Sequence, residues 1–247
     1  MGKPVSDQQF IAGAGAQHGA GVRPSHRALY LARKVPEITV YFWIAKLLST
    51  ALGESTSDYL VFHFPGLPTR QGEYAAVILG GVGLVIALTL QFLVRRYIAW
   101  VYWFAVVMVA IFGTMAADVL HIVVGVPYLE STVFFAVCLA VIFVVWYLVE
   151  RTLSIHSIDT PRRELFYWAT VMTTFALGTA AGDMTAWTLN LGYFVSGLLF
   201  IGVFALPALG YWLLGLNPIV AFWFAYIVTR PLGASFADWF GKPQSLT

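Results

Sequence analysis

The sequence predicts an all-helical, polytopic membrane protein: seven transmembrane helices from four tandem parallel repeats, the last one incomplete. Three observations carry this expectation. Hydrophobic residues make up 60% of the chain and charged residues 11%, well outside the composition of soluble domains. The uncharged runs 74–94, 131–149 and 184–229 are long enough to cross a bilayer, the last one twice. One skeleton also recurs with unvarying spacing: an aromatic, a Trp, a Gly ten residues on, and an Asp five residues after that. Its copies are Phe42-Trp43, Gly53, Asp58; Tyr102-Trp103, Gly113, Asp118; Tyr167-Trp168, Gly178, Asp183; and Phe222-Trp223, Gly233, Asp238, at steps of 60, 65 and 55 residues.

Residues 1–32, rich in Gly, Ala and Gln, read as a flexible cytoplasmic tail with no signal-peptide core. Span 1 follows Pro36, a first-turn proline, and runs to about Tyr59 with Lys46, Glu54 and Asp58 inside it. Span 2, about Tyr74–Val94, carries Gly80, Gly81 and Gly83 for close helix packing. Arg95 and Arg96 turn the chain into span 3, about Tyr97–Leu120, and span 4 covers about Tyr128–Val149. A polar loop, Glu150–Arg163, leads to Thr160-Pro161, which starts span 5. Span 6 is about Leu191–Leu214, and Asn217-Pro218 starts span 7, where Pro231 makes a broken helix the expectation. The transmembrane domain is 33–240, with repeats 33–94, 95–150, 151–214 and 215–240, followed by a short external tail, 241–247.

Basic residues sort unequally between the loops. Lys3, Arg23, Arg27, Arg33, Lys34, Arg95, Arg96, Arg151, Arg162 and Arg163 fall on one side, and only Arg70 and Lys242 on the other. The positive-inside rule then places the N-terminus in the cytoplasm and the C-terminus outside, in a cell (inner) membrane. All four motif spans run the same way, as in parallel transporter repeats. Trp lies near the cytoplasmic interface and Asp roughly 22 Å further along the helix.

On a helical wheel Trp, Gly and Asp fall within an arc of roughly 140°. The same arc holds Lys46, Thr50, Glu54 and Ser57 in span 1, Thr114 and Thr179 in spans 3 and 5, and Arg230 in span 7. Ionisable groups in a membrane face a bundle interior or a wet cavity. Spans 1, 3, 5 and 7 are therefore expected to surround a polar centre. Its cation pathway would be Glu54, Asp58, Asp118, Asp183 and Asp238, with Lys46 and Arg230 as charge partners or gates. Trp43, Trp103, Trp168 and Trp223 read as anchors or packing elements, and Gly53, Gly113, Gly178 and Gly233 as points of close approach or local unwinding. A purely structural Asp, copied four times by duplication, is the competing reading.

The stretches GESTSD, RRELFYW followed by FALGTAAGD, and FWFAYIVTRPLGASFAD resemble a bacterial family of multipass membrane proteins. That family is built from tandem repeats of unknown function, each with two spans and a signature Trp. The resemblance covers about residues 33–241 and implies a multipass protein, without handing over catalytic or binding residues. Its members usually have four complete repeats, whereas this sequence stops nine residues after Asp238. The expectation is a seven-span variant, a truncated product or a protomer completed by a partner.

Oxygen ligands without a Cys or Met cluster suit a proton, Mg²⁺, Mn²⁺ or Ca²⁺ better than copper or zinc. A transporter or channel for such a cation is the first expectation. The alternative is a non-transporting subunit or scaffold that binds another membrane protein. The expected partners are thus the bilayer, a small cation, and a second copy or another membrane protein. No nucleic acid and no cofactor are expected. With no HExxH, GxSxG or phosphate loop, an enzyme is not expected. A retinal pigment is excluded because span 7 offers Arg230 where a Schiff base needs Lys. Cys138 is the only cysteine, so an internal disulfide is ruled out.

Overall fold

The computed structural model describes residues 34–63 and 69–242. The N-terminal tail through residue 32 and most of the C-terminal tail lie outside them. Seven long helices and no strand occur among the described residues. They are α1 (Val40–Phe62), α2 (Thr69–Leu93), α3 (Ala99–Asp118), α4 (Tyr128–Glu150), α5 (Pro161–Asp183), α6 (Gly192–Leu214) and α7 (Pro218–Gly241).

Local chemistry explains most of the boundaries. Thr39, and not the neighbourhood of Pro36, caps α1 by accepting a bond from the Phe42 N–H. Thr160 and Asn217 cap α5 and α7 in the same way, each with Pro at the first helical position. Left-handed Arg151 and Gly215 end α4 and α6. After Asp118 and Asp183 the helices widen into single π-turns, Val119–Val123 and Met184–Thr188.

The expected break in span 7 is absent. Helix α7 runs through Pro231 without interruption. The proline costs one backbone bond, and that part of α7 is buried against α5 and α1.

Five helices, α2, α3, α4, α6 and α7, are long and apolar enough to cross a membrane. The two that fall short, α1 and α5, bury their polar side chains. Lys46, Ser49, Thr50, Glu54 and Ser57 turn inward from α1, as do Glu164, Thr170, Thr174 and Thr179 from α5.

The four motif helices close into a ring, α1–α3–α5–α7–α1, and the motif itself makes the contacts. Each motif glycine abuts the same repeat position on the next helix: Gly53 meets Ala110, Gly113 meets Phe175, Gly178 meets Arg230, and Gly233 meets Thr50. A methyl group on Gly113 would lie 2.7 Å from the Phe175 Cβ, and one on Gly233 would lie 2.6 Å from the Thr50 Cγ2. Only hydrogen fits at these crossings, so the glycines serve close approach and not unwinding.

A second cycle closes one end. Phe42 packs on Trp103, Tyr102 on Trp168, Tyr167 on Trp223, and Phe222 on Trp43, with ring centroids 5.7–6.2 Å apart. The aromatic before each Trp is buried within this girdle, and each Trp packs beside it as a wedge between helices.

Helices α2, α4 and α6 lie outside the ring, each across the next motif helix. Gly80, Gly81 and Gly83 of α2 sit on Met115, Phe112 and Met108 of α3. Trp146 of α4 stacks on Phe166 of α5, and Gly197 of α6 meets Phe236 of α7. No described helix covers the outer face of α1, where Tyr41, Ile44, Leu48, Leu52 and Tyr59 are exposed at helical spacing.

Candidate cation site

Opposite the aromatic girdle, the motif aspartates gather around one cavity. It measures about 530 Å³, and its wall includes Asp58, Asp118, Asp183 and Lys242, with Tyr128, Trp187 and Tyr193 at the rim. Asp238 joins through Lys242, whose ammonium lies 3.0 Å from Asp238 and 3.2 Å from Asp58. Burial works against the Lys242 charge. The carboxylates of Asp238, Asp58 and Glu54 outweigh it and raise its pKa above the ordinary lysine value.

One turn deeper, repeat position 54/114/179/234 carries Glu54, Thr114, Thr179 and Ala234. Arg230 comes up from one turn below and fills the middle of that layer. One of its terminal nitrogens lies within hydrogen-bond distance of Glu54, of Thr114 and, at 2.6 Å, of Thr179, and its two N–H groups are shared among the three. Arg230 is wholly buried and Glu54 nearly so. A paired, buried guanidinium is the form in which such a charge is tolerated at low dielectric. The sequence placed Arg230 among the carboxylate partners, and the ion pair to Glu54 is present.

Lys46 behaves otherwise. The sequence reading gave it a carboxylate partner, but its ammonium meets aromatic faces instead, 3.8 Å from the Phe175 ring centroid and 4.3 Å from that of Tyr226. It is 1% exposed and has no hydrogen-bond partner. The reason is geometric: Arg230 stands between Lys46 and Glu54 and takes the carboxylate first.

Glu54, Asp58 and Asp238 each turn one carboxylate oxygen to within 4.8 Å of the others, a spacing that could hold a metal ion. Beside them, Asp238 Oδ1 and the hydroxyls of Ser57 and Ser235 are buried without hydrogen-bond partners. These oxygens are the hard donors that Mg²⁺, Mn²⁺ and Ca²⁺ take. Lys242 and Arg230 neutralise part of the cluster, as a bound cation would.

Thus the structure brings together Glu54, Asp58, Asp118, Asp183, Asp238 and Arg230. It sets Lys46 apart and gives the four tryptophans and four glycines to ring closure. Lys242 was read only as an external loop charge, yet it lies four residues after Asp238, the spacing at which a Lys and an Asp meet on a helix. Phe175 escaped notice too. It shares a repeat position with Thr50, Ala110 and Arg230, and the place of Thr50 and Arg230 on the polar arc is the signal that marks it as axial. Two histidines make local contacts: His63 stacks on Tyr59, and His121 stacks on Tyr128 while its Nδ1 lies 2.7 Å from the Val126 carbonyl oxygen.

A second buried ion pair lies toward the girdle end. Lys34 donates to Glu164 at 2.5 Å and to the Phe92 carbonyl, and Gln91 donates to the other oxygen of Glu164. It ties the segment before α1 to α2 and α5, away from the aspartates.

Neither a curated protein nor a solved structure matches the chain. A family model does, four times over: residues 41–97, 101–152, 166–215 and 221–246 each match the Repeat of Unknown Function (DUF347). These matches follow the four copies of the motif and take in every helix of the ring. The chain belongs to the DUF347 repeat family.

Proposed function

We propose that the protein is a seven-span integral membrane protein that carries a small cation, a proton or one of Mg²⁺, Mn²⁺ and Ca²⁺, along the axis of its ring. One observation carries the reading: Asp58, Asp118 and Asp183 line one cavity, and Asp58 also shares a three-carboxylate cluster with buried Glu54 and Asp238, whose Oδ1 has no hydrogen-bond partner. The aromatic girdle closes the other end of the ring, so the geometry corresponds to a carrier open toward its Asp side. Arg230 and Lys242 then act as tethered cations that hold the site until a free one displaces them. Basic residues cluster on the Trp side, which puts the cavity outside the cell and the girdle toward the cytoplasm.

Two experiments test this. In a Cys138→Ser background, Phe10→Cys should resist an impermeant maleimide on intact cells and Ser245→Cys should react with it. Labelling of both from outside would overturn the orientation. In proteoliposomes, Glu54→Gln should lower cation flux at least tenfold, about 1.4 kcal/mol, with normal insertion and helix content. Asp58→Asn should act similarly but less. Wild-type protein that moves none of the four ions down a gradient would sink the transport reading.

The bare face of α1 favours a second reading, a subunit that seats a helix of another membrane protein there. The positions of α3 equivalent to Leu48 and Leu52, Met108 and Phe112, are covered by glycines of α2. A stable complex with a membrane protein, lost in Leu48→Trp and kept in Glu54→Gln, would support it over transport.

A further inference from the structure

We propose that Lys46 sheds a proton when a cation takes Glu54 from Arg230, so that cation binding at the acidic site is proton-coupled. The inference rests on the cation-site reading above and adds a residue and a stoichiometry to it.

Two cationic side chains lie on the axis within reach of one phenyl ring. The Lys46 ammonium is 3.8 Å from the Phe175 centroid, and the Arg230 guanidinium carbon is 5.5 Å from it. Only Arg230 has a carboxylate, Glu54. Lys46 has the faces of Phe175 and Tyr226 and no hydrogen-bond acceptor. Ring faces attract a cation but cannot neutralise it.

The groups that face this point are few. Arg230 and Tyr226 come from α7, Tyr167 and Phe175 from α5, and Tyr102 from α3 one turn toward the girdle. Glu54 lies two turns along α1 itself. Among them Glu54 is the one carboxylate, and Arg230 holds it.

A cation bound by Glu54, Asp58 and Asp238 occupies the charge that now balances Arg230. The guanidinium is left uncompensated beside Lys46, in an interior that screens poorly. A guanidinium does not release a proton in a protein, whereas a desolvated ammonium does. The relief therefore comes from Lys46. One N–H bond at Nζ breaks, the electron pair stays on nitrogen, and the proton passes to water. One cation in and one proton out leaves the axis with one positive charge fewer than simple addition would.

The test uses purified full-length protein in detergent with Mn²⁺ as the probe. Free Mn²⁺ is followed by electron paramagnetic resonance, and protons by an indicator dye in weak buffer at pH 7.5. Wild type should release about one proton more per Mn²⁺ bound than Lys46→Met. The carboxylates' own protons appear in both and cancel in the difference. Lys46→Arg, which keeps the charge and cannot shed it, should bind Mn²⁺ at least tenfold more weakly than Lys46→Met. Thermal melts of both variants check the fold, and either variant alone decides the matter. Equal proton release in wild type and Lys46→Met, or equal affinity in the Arg and Met variants, overturns the coupling and leaves the cation site standing. Failure of the wild type to bind Mn²⁺ removes the site, and the coupling with it.

Discussion

The two ends of the ring are built from the same repeat and do opposite things with it. At the Trp end all four copies contribute alike: an aromatic and a Trp that hand over to the next helix, Phe42 to Trp103 and round to Phe222 against Trp43. At the Asp end each copy gives an aspartate. One turn deeper the symmetry fails, and the layer reads Glu54, Thr114, Thr179 and Ala234 around a single Arg230. Packing satisfies four copies equally. An ion pair needs one acid and one base, so charge chemistry has to break the four-fold pattern. The difference locates close packing at one end and the paired charges at the other.

Several measurements would sharpen or break that contrast. The largest effect is expected at the broken layer. Arg230→Met leaves Glu54 buried without its cation, which should cost about 3–5 kcal/mol of stability. Adding Glu54→Gln removes the stranded charge and should restore most of it. Single and double variants that melt alike would show that the pair is not what organises this layer.

Next come the helix crossings, where the four copies are equivalent. Gly113→Ala and Gly233→Ala each put a methyl group inside van der Waals contact, against Phe175 and Thr50. Each should cost about 1–3 kcal/mol, the usual range for overpacking. The two losses should be similar if ring closure is symmetric, and chemical denaturation in detergent reads both. A loss confined to Gly233→Ala would point to asymmetry in packing as well.

At the girdle, Tyr167→Phe removes the hydroxyl pair with Tyr102 and should cost about 1 kcal/mol. It should leave Mn²⁺ affinity where it was, because the aspartates lie at the far end. An affinity change would break this division of labour between the two ends.

The smallest stability effect is expected at the cavity wall. Lys242 is a quarter exposed, so Lys242→Met should cost about 1 kcal/mol or less. Removal of the tethered cation frees Asp58 and Asp238, and cation affinity should rise severalfold. A fall in affinity would mean that Lys242 helps to shape the site instead of competing for it.

Much of this was legible in the residues. The constant spacing from Trp to Gly to Asp implied four equivalent helices running one way, and the stripe from Lys46 to Asp58 implied an inward polar face. Glu54 stood out because its equivalents are Thr114, Thr179 and Ala234. Other features were not legible. Pro231 looks like a break in the sequence, because one helix read alone cannot reveal the neighbours packed around it. Lys46 looked like a partner for acid, because spacing along α1 says nothing about a side chain that intrudes from α7.

Sequence by itself therefore determined what is periodic and local: seven helices, the starts of two of them at Thr160 and Asn217, the repeat, and the face on which each helix carries its polar groups. Helical geometry maps residue number to direction, and four copies repeat the map. Tertiary structure decided who meets whom. Arg230 and Glu54 are 176 residues apart and share a bond, whereas Lys46, eight residues from Glu54, does not reach it. Ring closure brings α7 against α1 and α5 at once, and it sets the depth at which each side chain enters the axis. Pairing of charges depends on that depth, which no spacing along a single helix encodes.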